Sequence, residues 1–284
     1  MSGDEAVRHR RPDPRRADAR RRALGPGGLV GRPSARASLS YRLLRLALRL
    51  LGRGVFGFGS ELVGAERLPR TATGRPAGGW IAAGLPHRTW VDPFLVTDLL
   101  PIEPRLSFLA DGRAIYRAWW RRLLVRLVGG VIPIWPGGSR QAVESHLAGA
   151  GAVLSAGGVL VVFPEVGPPV PLGSARRLGL GVAYFALRTG APIVPMAIGG
   201  SDELYRGRRL RVEVLEPITA RALAGMPLDA PLPAPWSREE RRAAHDIVVA
   251  LHARCVPAVA AAAAAVQPPP GVRKRWIWLT SAWH

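Results

Sequence analysis

The chain has 284 residues, 48% of them hydrophobic, enough to bury one large α/β core with appendages. Its formal net charge of +20 calls for a polyanionic partner: anionic lipid, nucleic acid or an acidic substrate. Cys255 is the single cysteine, which excludes an intrachain disulfide and a multi-cysteine metal site and fits a reducing compartment.

Residues 1–37 are rich in Arg, Asp, Pro and Gly and poor in large apolar side chains, the composition of a disordered basic tail. Arg20, Arg21 and Arg22 precede only "ALGPGGLVG", too weakly apolar for an export signal. In "SLSYRLLRLALRLLGRGVFGFG", residues 38–59, Arg42, Arg45 and Arg49 recur at helical spacing, with leucines over the rest of the surface. That pattern predicts an amphipathic helix, either lying in a membrane interface or packed on the core. "RAIYRAWWRRLLVRLVGG", residues 113–130, sets Tyr116, Trp119 and Trp120 among Arg117, Arg121, Arg122 and Arg126. Tryptophan and tyrosine favour the membrane–water boundary, and arginine suits lipid phosphate. Two such segments point to a peripheral protein on an anionic membrane surface, at its cytoplasmic face. No segment is expected to span a bilayer. The uncharged run 147–164 is broken by glycines and turns from helix to strand midway, and 255–272 is mostly alanine and proline.

Short apolar runs read as strands: "GGWIAAGL", "RLSFLA", "GGVIPIW", "GGVLVVF", "APIVPMAI" and "LRVEVLEPI". Helices are expected over 93–100, 113–128, 139–155, 175–189 and 237–256, the last opened by a Ser237–Glu240 capping box. The alternation predicts an α/β fold with a mixed, mainly parallel sheet flanked by helices, spanning 38–256 and including the amphipathic helix. Residues 257–284 read as an Ala/Pro-rich connector followed by a basic-aromatic tail, "VRKRWIWLTSAWH", either a third surface contact or a tail packed on the domain. Pro192 and Pro195 suggest that their strand is an edge or carries a bulge.

The chemistry concentrates in "GLPHRTWVDP", residues 84–93. His87 lies just past the end of a buried strand, where open α/β sheets bind ligands. Asp92 before Pro93 is a helix start, so Asp92 reads first as a cap. A loop histidine and a first-turn aspartate can also meet. A carboxylate on one imidazole nitrogen would then fix the tautomer and free the other nitrogen to take a proton from an alcohol. A second strand delivers Phe163, Pro164 and Glu165 to a Gly/Pro-rich loop.

In order and spacing, His87-x4-Asp92, Phe163-Pro164-Glu165 and Val194-Pro195 resemble the sequence blocks of glycerolipid acyltransferases related to 1-acylglycerol-3-phosphate acyltransferase. The resemblance runs from about Glu61 to Ile218. It implies acyl transfer from acyl-CoA or acyl-carrier protein to a lipid hydroxyl, with His87 as general base and Asp92 as its partner. The thioester is a co-substrate, and neither a cofactor nor a metal is implied. The chain departs from the family at Pro86, where asparagine is usual, and at Thr89, where serine is common. In the second block Trp135 and Pro136 stand before the nearest arginine, Arg140. In the third, Val166, Gly167 and Pro168 follow Glu165, displacing the family's glycine and arginine. The missing arginines are those expected to grip the acceptor phosphate. Thr89, Glu165, Arg140, Arg176 and Arg177 are therefore the candidates for substrate binding, and the acceptor is expected to differ from lysophosphatidate. A catalytically inactive membrane-associated homologue with the same fold is the alternative. Specific nucleic-acid binding is not expected, because no recognition motif accompanies the charge.

Overall fold

A computed structural model describes residues 32–135, 139–227 and 229–281 of the chain. Most of the expected basic tail, and Pro136 of the second block, lie outside the described residues. The tail's last residues are held: Ala35 O accepts from Arg105 N at 2.8 Å, and Ala37 N donates to Glu103 Oε1 at 3.2 Å.

Among the described residues, seven strands form one sheet: β1 (Gly59–Val63), β2 (Trp80–Leu85), β3 (Leu106–Asp111), β4 (Val131–Ile134), β5 (Val159–Val162), β6 (Ile193–Gly199) and β7 (Arg209–Val214). Their spatial order is β1-β7-β6-β2-β5-β3-β4. Every neighbouring pair is parallel except β6 and β7. The mixed, mainly parallel sheet expected from the alternating pattern is what the chain forms. β2 is buried at all six positions, as a central parallel strand covered on both faces must be. Its alternate residues feed two cores. Ile81, Ala83 and Leu85 pack with one helical layer, while Trp80 and Ala82 pack with the other.

The helices are α1 (Leu39–Arg49), α2 (Asp92–Leu99), α3 (Gly112–Tyr116), α4 (Trp119–Val128), α5 (Arg140–Ser155), α6 (Gly181–Thr189), α7 (Ala220–Leu223) and α8 (Arg238–Ala265). α5, α6 and α8 contribute to the first core and α2 to the second. α6 ends on Gly190 at φ 68°, a left-handed stop that favours glycine.

Several expectations are corrected here. β1 was not foreseen. The helix expected over 113–128 is two helices, broken at Ala118, which takes an extended conformation. Pro195 sits in β6, a central strand bonded on both sides, not at an edge. The β6–β7 ladder begins only at Met196, and Pro195 O accepts from Leu215 N at 2.9 Å, so the missing N–H falls at the ladder's end. α8 continues through Pro257 to Ala265 rather than stopping at 256. One absent helical hydrogen bond is offset by an alanine-rich sequence and by burial of Cys255, Val259 and Ala262. α8 is long and apolar enough to cross a membrane, yet it lies on β6. A Cβ on Gly199 would fall 2.3 Å from Ala262 O.

α1 is amphipathic with its polar side inward. Tyr41 and Arg45 are buried, while Leu39, Leu43, Leu46 and Leu50 are exposed. Arg45 Nη2 donates to Asp98 O at 2.8 Å, Arg49 Nε to Asp98 Oδ1 at 2.6 Å, and Arg42 pairs with Glu103. The arginines bind the protein, and the leucines are left outside.

Candidate active site

The crossover from β2 passes over β5 to β3, whereas β5 leads back over β2 to β6. The carboxyl ends of β2 and β5 thus flank a switch point, the place where such sheets bind ligands. The first loop comes from β2 and the second from β5.

Asp92 opens α2 and is fully buried. It does not cap its own helix. Its Oδ2 reaches back and accepts from His87 Nδ1 at 2.8 Å, Arg88 N at 2.8 Å and Thr89 N at 2.9 Å. This corrects the cap reading: the carboxylate gathers the loop before the helix instead of the first helical N–H groups. Because Oδ2 is an acceptor to two backbone donors already, Nδ1 is the protonated ring nitrogen and Nε2 the basic one. Asp92 Oδ1 and Thr89 Oγ1 are buried without a hydrogen-bond partner.

Phe163, just past β5, stacks on the imidazole with ring centroids 4.4 Å apart and planes at 24°. Gly84 makes room for it; a Cβ there would lie 2.8 Å from Phe163 Cε1. The His87 side chain keeps 41% of its surface exposed while its acid partner has none. The ring is fixed by a carboxylate at one edge and an aromatic face, and open elsewhere.

Glu165 ties three segments together. Its Oε2 accepts from His87 N at 3.0 Å and its Oε1 from Arg176 N at 2.7 Å. Val166 N to Arg177 O at 2.8 Å and Gly179 N to Pro164 O at 2.7 Å complete a short ladder between the two arms of the third-block loop. Arg88, which sequence reasoning passed over, pins the tip of that loop. Its guanidinium donates to Val170 O at 3.1 Å, Pro171 O at 3.1 Å and Ser174 O at 2.7 Å. The signal was there: prolines at 168, 169 and 171 remove N–H groups, leaving a run of carbonyls that needs a donor.

His87, Asp92, Thr89, Glu165 and Arg176 therefore come together. Arg176 contributes its main chain to Glu165, and its Nη1 lies 3.5 Å from Gly167 O. Arg177 is exposed and joins the loop by its carbonyl. Arg140 is elsewhere. At the start of α5 it pairs with Glu144 at 3.0 Å and lies over the Trp236 ring at 5.0 Å, with no bond to the His87 loop among the described residues. Among the described residues, no group of three or more His, Cys, Asp or Glu side chains is arranged to hold a metal ion.

A histidine held by a buried carboxylate at the end of a parallel strand suits proton transfer from an alcohol. The family model for Acyltransferase matches residues 62–199, which carry the end of β1, β2 to β6 and both loops. The fold is also that of a solved 1-acyl-sn-glycerophosphate (LPA) acyltransferase, PlsC, from Thermotoga maritima. That protein is 19% identical, with a TM-score of 0.51, the match covering 77% of this chain and 80% of that one. The matched segment places His87 and Asp92 on the β2–α2 loop and Phe163, Pro164 and Glu165 just after β5.

Proposed function

We propose that the chain moves a fatty acyl group from acyl-CoA or acyl-carrier protein to a hydroxyl of a lysophospholipid or related glycerolipid. The observation that carries this is the 2.8 Å contact between His87 Nδ1 and fully buried Asp92, with the rest of the ring stacked and part-exposed. His87 Nε2 takes the proton of the acceptor hydroxyl as its oxygen attacks the thioester carbonyl. The tetrahedral intermediate collapses with cleavage of the C–S bond, and the imidazolium returns its proton to the departing thiolate. Asp92 orients the ring and stabilises its cationic form, and Phe163 holds its plane. Glu165, with both oxygens engaged by backbone N–H groups, keeps the His87 loop and the third-block loop in register. Arg176, Arg177 and Thr89 shape the acceptor site, while Arg140 is engaged with Glu144 and Trp236.

The acceptor reaches this site from an anionic membrane surface. α1 turns Leu39, Leu43 and Leu46 outward, Leu50 just after it is exposed too, and the neighbouring α4 exposes Trp119, Leu123 and Leu127 beside Arg122 and Arg126. An outward apolar stripe with basic residues at its margin suits the headgroup–acyl boundary. The chain lies on the bilayer rather than through it, at the cytoplasmic face where thioester donors are found.

The test offers the purified chain acyl-CoA and acyl-carrier protein together with a panel of lysolipids that includes lysophosphatidate. Esterification of a lysolipid other than lysophosphatidate is the expected result. A clear preference for lysophosphatidate overturns the altered-acceptor reading, and no product with any acceptor favours the inactive homologue.

A further inference from the structure

The C-terminal segment, described to Ser281, returns to the edge of the catalytic loop. Leu279 is buried in the core that also holds Val91, Leu95 and Val96, and its carbonyl accepts from Trp90 Nε1 at 2.8 Å. Thr280 Oγ1 accepts from Leu204 N at 2.8 Å, and Arg275 O accepts from Arg206 N at 2.8 Å. The segment is therefore fastened at two ends as a hook. Trp90 belongs to the loop between His87 and Asp92, so the hook's anchor touches the catalytic loop itself.

Between those anchors the hook shows side chains that a packed tail has no reason to show. Trp276, Ile277 and Trp278 are 41%, 49% and 60% exposed. Arg273 and Arg275 beside them are exposed as well, while Lys274 pairs with Glu203 at 2.6 Å. The patch is not isolated. Trp276 meets Phe56 edge-to-face at 6.3 Å, and Phe56 directly follows the π-helical turn that exposes Leu50, Leu51 and Val55. The outward stripe of α1 thus runs into the hook as one surface. Tryptophans flanked by cations match the boundary of an anionic bilayer: indole bodies sit among glycerol backbones and guanidinium groups meet phosphates.

We infer that the hook, residues 272–281, is a third bilayer contact, continuous with α1 and seated beside the catalytic loop. This rests on the membrane reading of α1 and α4 and adds to it a contact that brings the lipid surface next to His87. α1 and the hook then grip the bilayer on a common face, and Trp90 lies behind the hook.

The test is flotation of the full chain with vesicles of equimolar phosphatidylglycerol and phosphatidylcholine, and with phosphatidylcholine alone. Arg273→Gln with Arg275→Gln, both at exposed positions, is expected to weaken partition to the anionic vesicles by about fivefold per arginine, roughly 25-fold together. Trp276→Ser with Trp278→Ser is expected to weaken partition to both compositions. Leu43→Glu with Leu46→Glu tests α1 separately. A wild-type chain that fails to bind anionic vesicles refutes the membrane reading as a whole. A wild type that binds while the double arginine variant partitions within about twofold of it refutes the hook alone.

Discussion

Replacing Asp92 with asparagine separates two roles that the carboxylate combines. In the native site Oδ2 faces three donors and Oδ1 faces none. The asparagine amide oxygen should take the Oδ2 position, because the reverse orientation would set an NH2 against two backbone N–H groups. The histidine tautomer is then kept and only the negative charge is lost. Two unit charges about 4 Å apart interact by about 4 kcal/mol at an effective dielectric of 20. With 41% of the His87 side chain exposed, screening brings this down. We therefore expect kcat for acyl transfer to fall by about 10²–10³-fold. The new NH2 occupies the unpartnered Oδ1 position, at a cost to folding of about 1–3 kcal/mol. Thiol release from acyl-CoA under saturating acceptor reads the first effect, and urea unfolding followed by tryptophan fluorescence reads the second. A kcat within about threefold of wild type would refute a charge role for Asp92. A loss beyond about 10⁴-fold, the scale of a wrong tautomer, would refute the orientation derived from the three donors.

Three further outcomes follow from neighbouring features. Gly84→Ala puts a Cβ 2.8 Å from the Phe163 ring and must push it off the imidazole, so kcat should fall by about tenfold or more with KM for the thioester little changed. Arg88→Met removes three bonds to loop carbonyls, and limited proteolysis within residues 166–175 should quicken while the core stays resistant. His146, buried on α5, is held below the ordinary histidine value of 6.5 by desolvation, partly opposed by a hydrogen bond to the Pro133 carbonyl. The unfolded chain takes up this proton first, so stability is intact above pH 6.5 and declines as the pH falls below it. Denaturant titrations from pH 8 to pH 5 should show that decline, with a shallower slope in His146→Phe.

Much of the architecture was legible because the relevant forces are local. Continuous apolar runs marked the buried strands of a parallel sheet, and Ser237 with Glu240 marked a helix start. β1 escaped notice because "GSELV" lies at the sheet's margin with no fully buried position, and so shows little apolar signal. Pro195 misled because a proline's tolerance depends on where the neighbouring strand stops, which only register reveals. The direction of Asp92 was hidden for a similar reason: a carboxylate before a proline fits a cap, and only the folded loop shows three donors behind it. For α1, composition identified both faces but not which was inward. That choice is made by Asp98 and Glu103, about fifty to sixty residues away, which draw the arginines in. In the candidate site, a strand-end loop for His87 and a helix start for Asp92 allowed the two to meet, and the resemblance of the ordered blocks singled them out, whereas the clamp made by Arg88 depends on a loop over eighty residues later.

The central claim is that His87 withdraws the proton from a lipid hydroxyl. The most direct measurement compares acceptor-dependent thiol release by wild type and His87→Ala on the same anionic vesicles, with vesicle binding recorded in parallel. The account predicts a loss of about 10²–10⁴-fold in turnover with unchanged binding. Turnover in His87→Ala equal to that of wild type would contradict it.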